Sequence, residues 1–352
     1  MKKFFKYAVF LLFPLLTFQQ PVAQAQGKQA KVVCVAFYNL ENLFDTIDDP
    51  NVDDVEFTPK GPSQWNSKRY YTKLSHLAEV ISQIGDEYTK NGPVFIGVSE
   101  VENRQVVEDL AYTPPLKALG YDIVHFDSPD KRGIDVALLY QPKLFQVKST
   151  KIHTLKMPGI PDFYTRDILQ VDGLLDGELV HVLVNHWPSR SGGEIESAPK
   201  RDAAADLCLS AVQAIYKGEP GARIIIMGDL NDDPVDESLM KHLKVKTKPE
   251  NVKPGDLFDP MWQLFRDGVG SLAYKDSWNL FDQIIVSSAL MDKKSDGYRY
   301  LKAKVFNKKF LVQKDGAYEG YPFRTYAGGV YTGGYSDHFP VYLFLVKEIR
   351  GK

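Results

Sequence analysis

Six short polar clusters in this chain carry groups able to do chemistry, and each lies at the edge of an apolar run. Asn39 and Glu41 follow Val32–Tyr38, and Ser99 with Glu100 follows Val94–Val98. Asn185 and His186 close the run that begins at Leu179, and Asp229 with Asn231 follows Arg223–Met227. Asp282 opens the run that ends at Val286, and Asp337 with His338 precedes Val341–Leu345. Singly, each has an ordinary structural explanation. An Asp after a strand caps a turn or helix, Asn39 suits a turn, and a lone His beside an apolar run is usually a half-buried polar group. As a set they offer hard oxygen donors suited to Mg²⁺ or Mn²⁺, together with two imidazoles able to move protons. No Cys/His cluster has the spacing of a zinc site.

These side chains must be held by the elements that end beside them. Short, almost wholly apolar runs of the kind buried on both faces appear at Val32–Tyr38, Val94–Val98, Tyr121–Phe126, Ile134–Tyr140 and Asp167–Val171. Others follow at Leu179–Asn185, Arg223–Met227, Phe281–Val286 and Val341–Leu345. Helical spacing is clearest at Tyr70–Ile84 and Lys200–Tyr216. Strands alternating with helices, without an internal repeat or linker, predict one α/β domain. Side chains at strand ends inherit the rigidity of the sheet, so a site assembled there is well aimed.

In order, the clusters read Phe37-Tyr38-Asn39-Leu40-Glu41-Asn42, Val98-Ser99-Glu100-Val101-Glu102-Asn103, Val184-Asn185-His186-Trp187-Pro188, Gly228-Asp229-Leu230-Asn231-Asp232, Leu280-Phe281-Asp282-Gln283 and Tyr335-Ser336-Asp337-His338-Phe339-Pro340. This series resembles the endonuclease/exonuclease/phosphatase superfamily over nearly the whole chain beyond residue 26. The resemblance implies a DNase I-like four-layer α/β sandwich, two central mixed β-sheets flanked by helices. It implies Glu100 as principal Mg²⁺ ligand, with Asn39, Glu41 and Asp337 completing or orienting the metal sphere. Asp229 would orient and deprotonate the attacking water, with Asn231 as a fixing donor. His338 and Asp282 would form a pair, and His186 would contact phosphate oxygens or protonate the leaving group.

The physics of phosphate-ester hydrolysis asks for such groups. The substrate is an anion that repels a hydroxide-like nucleophile until its charge is neutralised, and a metal with one or two donors contributes several kcal/mol to that end. Three arginines are further candidates for gripping phosphate: Arg132, Arg166 and Arg190. Asp135, inside a strand-like run, reads as structural.

Residues 1–25 have the pattern of a secretory signal peptide: Lys2, Lys3 and Lys6, then an apolar run from Tyr7 to Phe18, then Ala23-Gln24-Ala25. This predicts a secreted or periplasmic protein whose single domain spans 26–352. The chain's net charge of −2 becomes about −5 once three leader lysines are removed, so it lacks the global positive field of a tight nucleic-acid binder. A segment from Met291 to Lys314 nevertheless interleaves basic residues with Tyr298, Tyr300, Phe306 and Phe310. It could grip a phosphate backbone and stack bases, or be the outer face of a two-stranded ribbon with its aromatics turned inward. The substrate expected first is therefore nucleic acid, cleaved by an exported endonuclease. The alternatives are a phosphatase or phosphodiesterase on a small-molecule or lipid phosphate ester, and, more remotely, a non-catalytic binding module. The acid-rich stretch Asp45–Trp65 reads as a solvated loop, lacking the spacing of an EF-hand. Cys34 and Cys208 could pair or remain two buried thiols.

Overall fold

The computed structural model describes residues 29–157 and 159–349. The predicted leader, residues 1–25, lies outside the described residues. Along the chain the elements are β1 (Ala30–Leu43), α1 (Ser67–Gln83), β2 (Phe95–Val101), α2 (Arg104–Tyr112), α3 (Leu116–Leu119), β3 (Asp122–His125) and β4 (Asp135–Tyr140). There follow β5 (Phe145–His153), β6 (Ile168–Leu175), β7 (Glu178–His186), α4 (Glu194–Gly218), β8 (Arg223–Asp229), β9 (Leu257–Phe258) and α5 (Met261–Arg266). The last are β10 (Leu272–Tyr274), β11 (Ser277–Asn279), β12 (Asp282–Ser287), β13 (Arg299–Val305), β14 (Tyr326–Ala327), β15 (Val330–Tyr331) and β16 (Val341–Glu348).

Two six-stranded mixed sheets form the centre, in the orders β13-β16-β1-β2-β4-β3 and β5-β6-β7-β8-β12-β9. Each has one parallel pair near its middle, β1 with β2 and β7 with β8. Parallel neighbours need a helical crossover, supplied by α1 in the first sheet and α4 in the second. The two carboxyl ends of each parallel pair therefore lie on one edge. The antiparallel neighbours β12 and β16 bring their amino ends to that same edge, since Asp282 pairs with Asp229 and Val341 with Phe37. This arrangement gathers six clusters, far apart in sequence, at one end of the sandwich.

Layering follows the period-two alternation of strands. On β8, Ile225 and Met227 face the other sheet, whereas Ile224 and Ile226 pack under α4 with Ala204, Cys208 and Val212. The sheets approach closely at Gly97 of β2, where a Cβ would lie 2.7 Å from the Met227 sulfur and 3.0 Å from a Val184 methyl. Cys34 and Cys208 are both buried free thiols, one in each of the two apolar clusters. Burial raises the pKa of the Cys208 thiol to about 12.

The structure departs from the sequence reading in several elements. Helix α4 begins at Glu194 rather than Lys200, running through Pro199, because buried Arg201 anchors the added turn through the Glu194 carbonyl, Ser197 and Asp232. The Met291–Lys314 segment is not a two-stranded ribbon; β13 within it is an edge strand of the first sheet, paired to β16. Its aromatics are turned inward: Tyr298 and Phe306 are fully buried, and Tyr300 and Phe310 pack against the core. Strand β5 went unpredicted because it is an edge strand with most side chains in solvent, leaving no apolar pattern to read.

One buried carboxyl away from the catalytic edge should contribute to the pH dependence of stability. Asp259, at the start of α5, accepts from the Met261 amide at 2.8 Å, but its Oδ2 is buried without a partner. Burial raises its pKa from 3.8 to about 7. The folded state thus holds this proton more tightly than the unfolded one, so the group's stabilisation is complete below pH 4 and is lost as pH rises towards 7. Asp259→Asn should flatten the change in Tm between pH 5 and pH 8, a span over which the native carboxyl costs a few kcal/mol. Equal pH dependence in variant and parent would show that Asp259 is not the source.

Candidate active site

The catalytic edge is shaped by backbone that departs from regular strand geometry. Glu41, Asn42, Glu100 and Asn231 all have left-handed φ, between 51° and 58°. The β1–β2 ladder shifts register between Asn39 and Leu43, and the β2–β4 ladder shifts between Ser99 and Val101. Such bulges re-aim side chains at the rims of sheets, and left-handed non-glycine residues persist only where surrounding contacts impose them.

Asn39 is the bridge between the sheets. Its Nδ2 donates to Glu100 Oε1 at 3.2 Å and to Asp229 Oδ2 at 3.0 Å, while its Oδ1 accepts from the Glu41 amide at 2.9 Å. Glu100 takes a further bond on Oε2 from the Asn42 amide at 2.9 Å and keeps 18% of its side chain exposed. Asp229 Oδ1 accepts from the Asn231 amide at 3.0 Å. Two imidazoles flank Asp229 Oδ2, with His186 Nε2 at 3.8 Å and His338 Nε2 at 3.9 Å. His186 Nε2 is also 3.9 Å from Glu100 Oε1, and His338 Nε2 is 3.9 Å from Asp337 Oδ1.

The two histidines are driven in opposite directions. Burial pushes His186 well below its ordinary pKa, helped by the positive charges of Arg166, Arg132 and His338, so it is neutral at pH 7. Burial also opposes charge on His338, but Asp282, bonded to its Nδ1 at 2.7 Å, outweighs that with help from Asp337 and Asp229. His338 is thereby held well above the usual range and carries a proton. Asp229 is raised by burial to about 7, with His338 pulling it down and Asp282 pushing it up. Environments that separate the pKa values of neighbouring groups are the usual basis of acid and base assignments.

The donor set suits a hard cation. Asp229, Asp282 and Asp337 surround His338, Glu100 lies 3.9 Å from neutral His186, and ligand atoms of Asp229, Asp282 and His338 lie within 4.8 Å of one another. A divalent ion beside Glu100 and Asn39 would balance that negative charge.

The structure brings together Asn39, Glu100, His186, Asp229, Asn231, Asp282, Asp337 and His338. It does not place every candidate there. The Glu41 carboxylate turns to the Thr325 amide at 2.7 Å and to Lys73 Nζ at 3.6 Å, following its left-handed backbone. Arg190 does not clamp phosphate: it is committed to Asp232 at 3.2 Å, Asp236 at 2.7 Å and Glu194 at 3.1 Å, and stacks over Phe281. Arg166 is buried, bonded to Asp130 at 3.0 Å and to the Trp187 carbonyl at 2.5 Å. That carbonyl also accepts from Asn231 Nδ2, so Arg166 positions the Asn231 side chain. Arg132 pairs through Nε with Asp130 Oδ1 at 3.3 Å but keeps 53% of its side chain in solvent, the most open of the three candidate arginines. Asp135 is structural, accepting from His125 and the Ser128 amide.

Sequence reading missed the residues that brace the site. Ser271 donates to Asp282 Oδ2 at 2.5 Å, and Ser336 ties the Asp337-His338 loop to the Asn39 carbonyl at 2.7 Å. Lys73, only 1% exposed on α1, reaches Thr325 Oγ1 at 2.6 Å as well as Glu41. Its place between Tyr70 and Leu77 on the apolar stripe of the helix was the available signal. Lys73→Met should destabilise the fold by about 3–5 kcal/mol, because it leaves the buried Glu41 carboxylate unpaired. Adding Glu41→Gln should restore part of that loss in a denaturant titration; strict additivity of the two changes would deny the pairing.

The sequence pattern of the Endonuclease/Exonuclease/phosphatase family matches residues 34–347, which include every residue of this site. The chain belongs to that family. Solved structures with the same fold include a family protein from Bacteroides thetaiotaomicron, 16% identical, with a TM-score of 0.55 over 92% of this chain and 100% of that one. A mannosyl-6-phosphatase from B. thetaiotaomicron VPI-5482 is 17% identical, with a TM-score of 0.53 over 89% of this chain and 99% of that one. TDP2 from D. rerio, complexed with single strand DNA product, is 14% identical, with a TM-score of 0.53 over 89% of this chain and 98% of that one. None of the curated proteins matches the sequence. Family membership makes the chain a phosphoester hydrolase, a class that generally uses divalent metal ions.

Proposed function

We propose that the chain is an exported, Mg²⁺- or Mn²⁺-dependent hydrolase acting on a small soluble phosphate ester. The observation that carries the catalytic reading is the convergence of Asn39, His186 and His338 on Asp229 beside Glu100. Glu100 and Asn39, with Asp337 nearby, would hold the ion, which when bound neutralises phosphate charge and assists in making a hydroxide-like nucleophile. Asp229 accepts the proton of the attacking water and is oriented by the Asn39 and Asn231 contacts. His186, neutral, donates from Nε2 to a non-bridging oxygen without adding a charge that Arg166 would resist. His338, protonated and held in orientation by Asp282 at Nδ1, delivers its Nε2 proton to the leaving oxygen. The leader-like residues 1–25 support export.

Three observations favour a small ester over a nucleic-acid strand. The aromatics of the basic segment are turned to the core, with Tyr298 and Phe306 fully buried and Tyr300 and Phe310 packed against it, which leaves little ring surface for stacking bases. Lys293, Lys294 and Arg299 lie towards the far end of the first sheet, since Arg299 pairs with Val346 while Val305 pairs with Val341 near the site. Arg190 is already neutralised by its own carboxylates. The nuclease reading keeps one support, the shared fold with a TDP2 that holds single strand DNA product. Supercoiled plasmid, single-stranded DNA, a hexose phosphate and bis-p-nitrophenyl phosphate, assayed side by side with Mg²⁺, Mn²⁺ or EDTA, separate the readings. Turnover of the hexose phosphate above the nucleic acids is expected; metal-dependent nicking of plasmid at a higher kcat/KM would reverse the substrate assignment.

A further inference from the structure

Beside the catalytic centre is a cleft of about 210 Å³ whose lining includes Glu41, Glu56, Phe57, Ser63, Tyr326 and Gly329. It adjoins the centre on two sides. Its floor is Glu41 and Asn42, whose amides hold Asn39 Oδ1 and Glu100 Oε2. Thr325, whose amide donates to Glu41 Oε2 at 2.7 Å, also lines it, and the preceding residue, Arg324, has its guanidinium 3.9 Å from Asp337 Oδ2. We propose that this cleft is the subsite for the alcohol portion of the ester, shaped for a neutral, hydroxyl-bearing ring of monosaccharide size, with Arg324, beside Asp337 and next in the chain to the lining residue Thr325, taking the phosphate oxygens. The inference rests on the phosphoester-hydrolase reading and adds to it the class of alcohol that leaves.

The lining sets the chemistry. Its polar side chains are two carboxylates, the Asn42 amide and the hydroxyls of Ser63, Thr325 and Tyr326, and it holds neither lysine nor arginine. Carboxylates only accept hydrogen bonds, so the fitting ligand is rich in donors, as a polyhydroxylated ring is. A polyanionic strand or a multiply phosphorylated ring would meet like charge there. The Glu41 carboxylate is a fixed acceptor, since Lys73 and the Thr325 amide already orient it. The half-buried rings of Phe57 and Tyr326 offer an apolar surface for the C–H face of the ligand. A cleft of about 210 Å³ offers room for one six-membered ring with its hydroxyls.

Arg324 supplies the anion-binding half. Its backbone is fixed, with the carbonyl accepting from Thr332 Oγ1 at 2.5 Å and from the Gly334 amide at 3.1 Å. Gly334 is required for that packing, because a Cβ would lie 2.2 Å from the Arg324 carbonyl oxygen. The guanidinium rests over the Tyr318 ring at 5.6 Å, and its Nε is buried without an acceptor. A planar guanidinium with donors in hand, next to a proposed metal-site carboxylate, matches a phosphate whose other oxygens face the ion.

The test measures kcat and KM of full-length enzyme with Mn²⁺ on a hexose 6-phosphate, a nucleoside 5′-monophosphate and p-nitrophenyl phosphate, for the parent, Glu56→Trp and Arg324→Gln. Glu56 is exposed, so the tryptophan narrows the cleft without entering the core. The expected result is a preference of the parent for the hexose phosphate, and a fall of at least tenfold in the ratio of its kcat/KM to that of p-nitrophenyl phosphate in Glu56→Trp. Arg324→Gln should raise KM at least tenfold on all three esters with a smaller change in kcat. A parent that prefers the nucleotide, or a ratio unmoved by Glu56→Trp in an active enzyme, overturns the subsite and leaves the hydrolase reading standing. An unchanged KM in Arg324→Gln removes Arg324 from phosphate binding. A parent inactive on all three monoesters but active on bis-p-nitrophenyl phosphate or plasmid overturns the subsite and leaves a phosphodiesterase, whereas inactivity on all of these substrates with both Mg²⁺ and Mn²⁺ overturns the hydrolase reading itself.

Discussion

Asp229→Asn should lower kcat by about a thousandfold, within the 10²- to 10⁴-fold range of general-base groups, while the protein stays folded. The substitution is nearly isosteric, but an amide cannot take a proton from water at pH 7. It also places a donor where an acceptor is wanted: Asp229 Oδ2 receives the Asn39 amide at 3.0 Å and Oδ1 receives the Asn231 amide at 3.0 Å. One of those contacts must weaken, which loosens the aim of Asn39 as well as removing the base. Stability should hold or improve, because burial penalises the native carboxylate and a neutral amide escapes that cost. Stopped assays with parallel melting curves distinguish the outcomes. A kcat within threefold of the parent would sink the role given to Asp229. A collapse of Tm together with kcat would make the residue a structural brace.

Glu100→Gln should be as damaging, by a different route. Glu100 is held from two sides, by Asn39 and by the Asn42 amide, and still presents an exposed edge. That combination suits a ligand fixed in place but open to an ion. Removing its charge should weaken metal binding and cost several kcal/mol of transition-state stabilisation, or about a hundredfold to a thousandfold in kcat/KM. The parent stripped with EDTA should fall to a similar level and recover with Mg²⁺ or Mn²⁺, whereas the variant should need far higher metal to recover at all. Parent activity that survives EDTA would remove the metal from the proposal, and Glu100 with it.

The catalytic residues were legible in the sequence because their spacing follows from topology. A polar pair after an apolar run marks the carboxyl end of a strand, and the two parallel pairs put those ends on one edge. All nine apolar runs became strands for the same reason: each is covered on at least one face by the other sheet or by helices. What stayed hidden depends on contacts between distant segments. The commitment of Arg190 to Asp232 and Asp236 could not be foreseen from an arginine that follows a histidine motif. The turning of Glu41 towards Lys73 follows from a register shift in β1 that leaves no mark in composition. The basic segment misled because its lysines are visible in sequence while the inward direction of Tyr298 and Phe306 is set by the pairing of β13 with β16.

Because Asn39, Glu100 and His338 come from one sheet and its margins while His186, Asp229 and Asp282 come from the other, the active site is a seam that neither half possesses alone. Its geometry is therefore a gauge of how well the two halves are seated. A slip of half an ångström between them would leave every ladder intact and most apolar surface buried, yet would part Asn39 from Asp229. Enlarging Gly97, where Met227 and Val184 already crowd the gap, inserts a wedge at that junction, two to three residues along the strands from Glu100, Asp229 and His186. Such a change should silence the enzyme at temperatures where its spectroscopic signature of folding is still complete. For this architecture, lost turnover is an earlier alarm than lost structure.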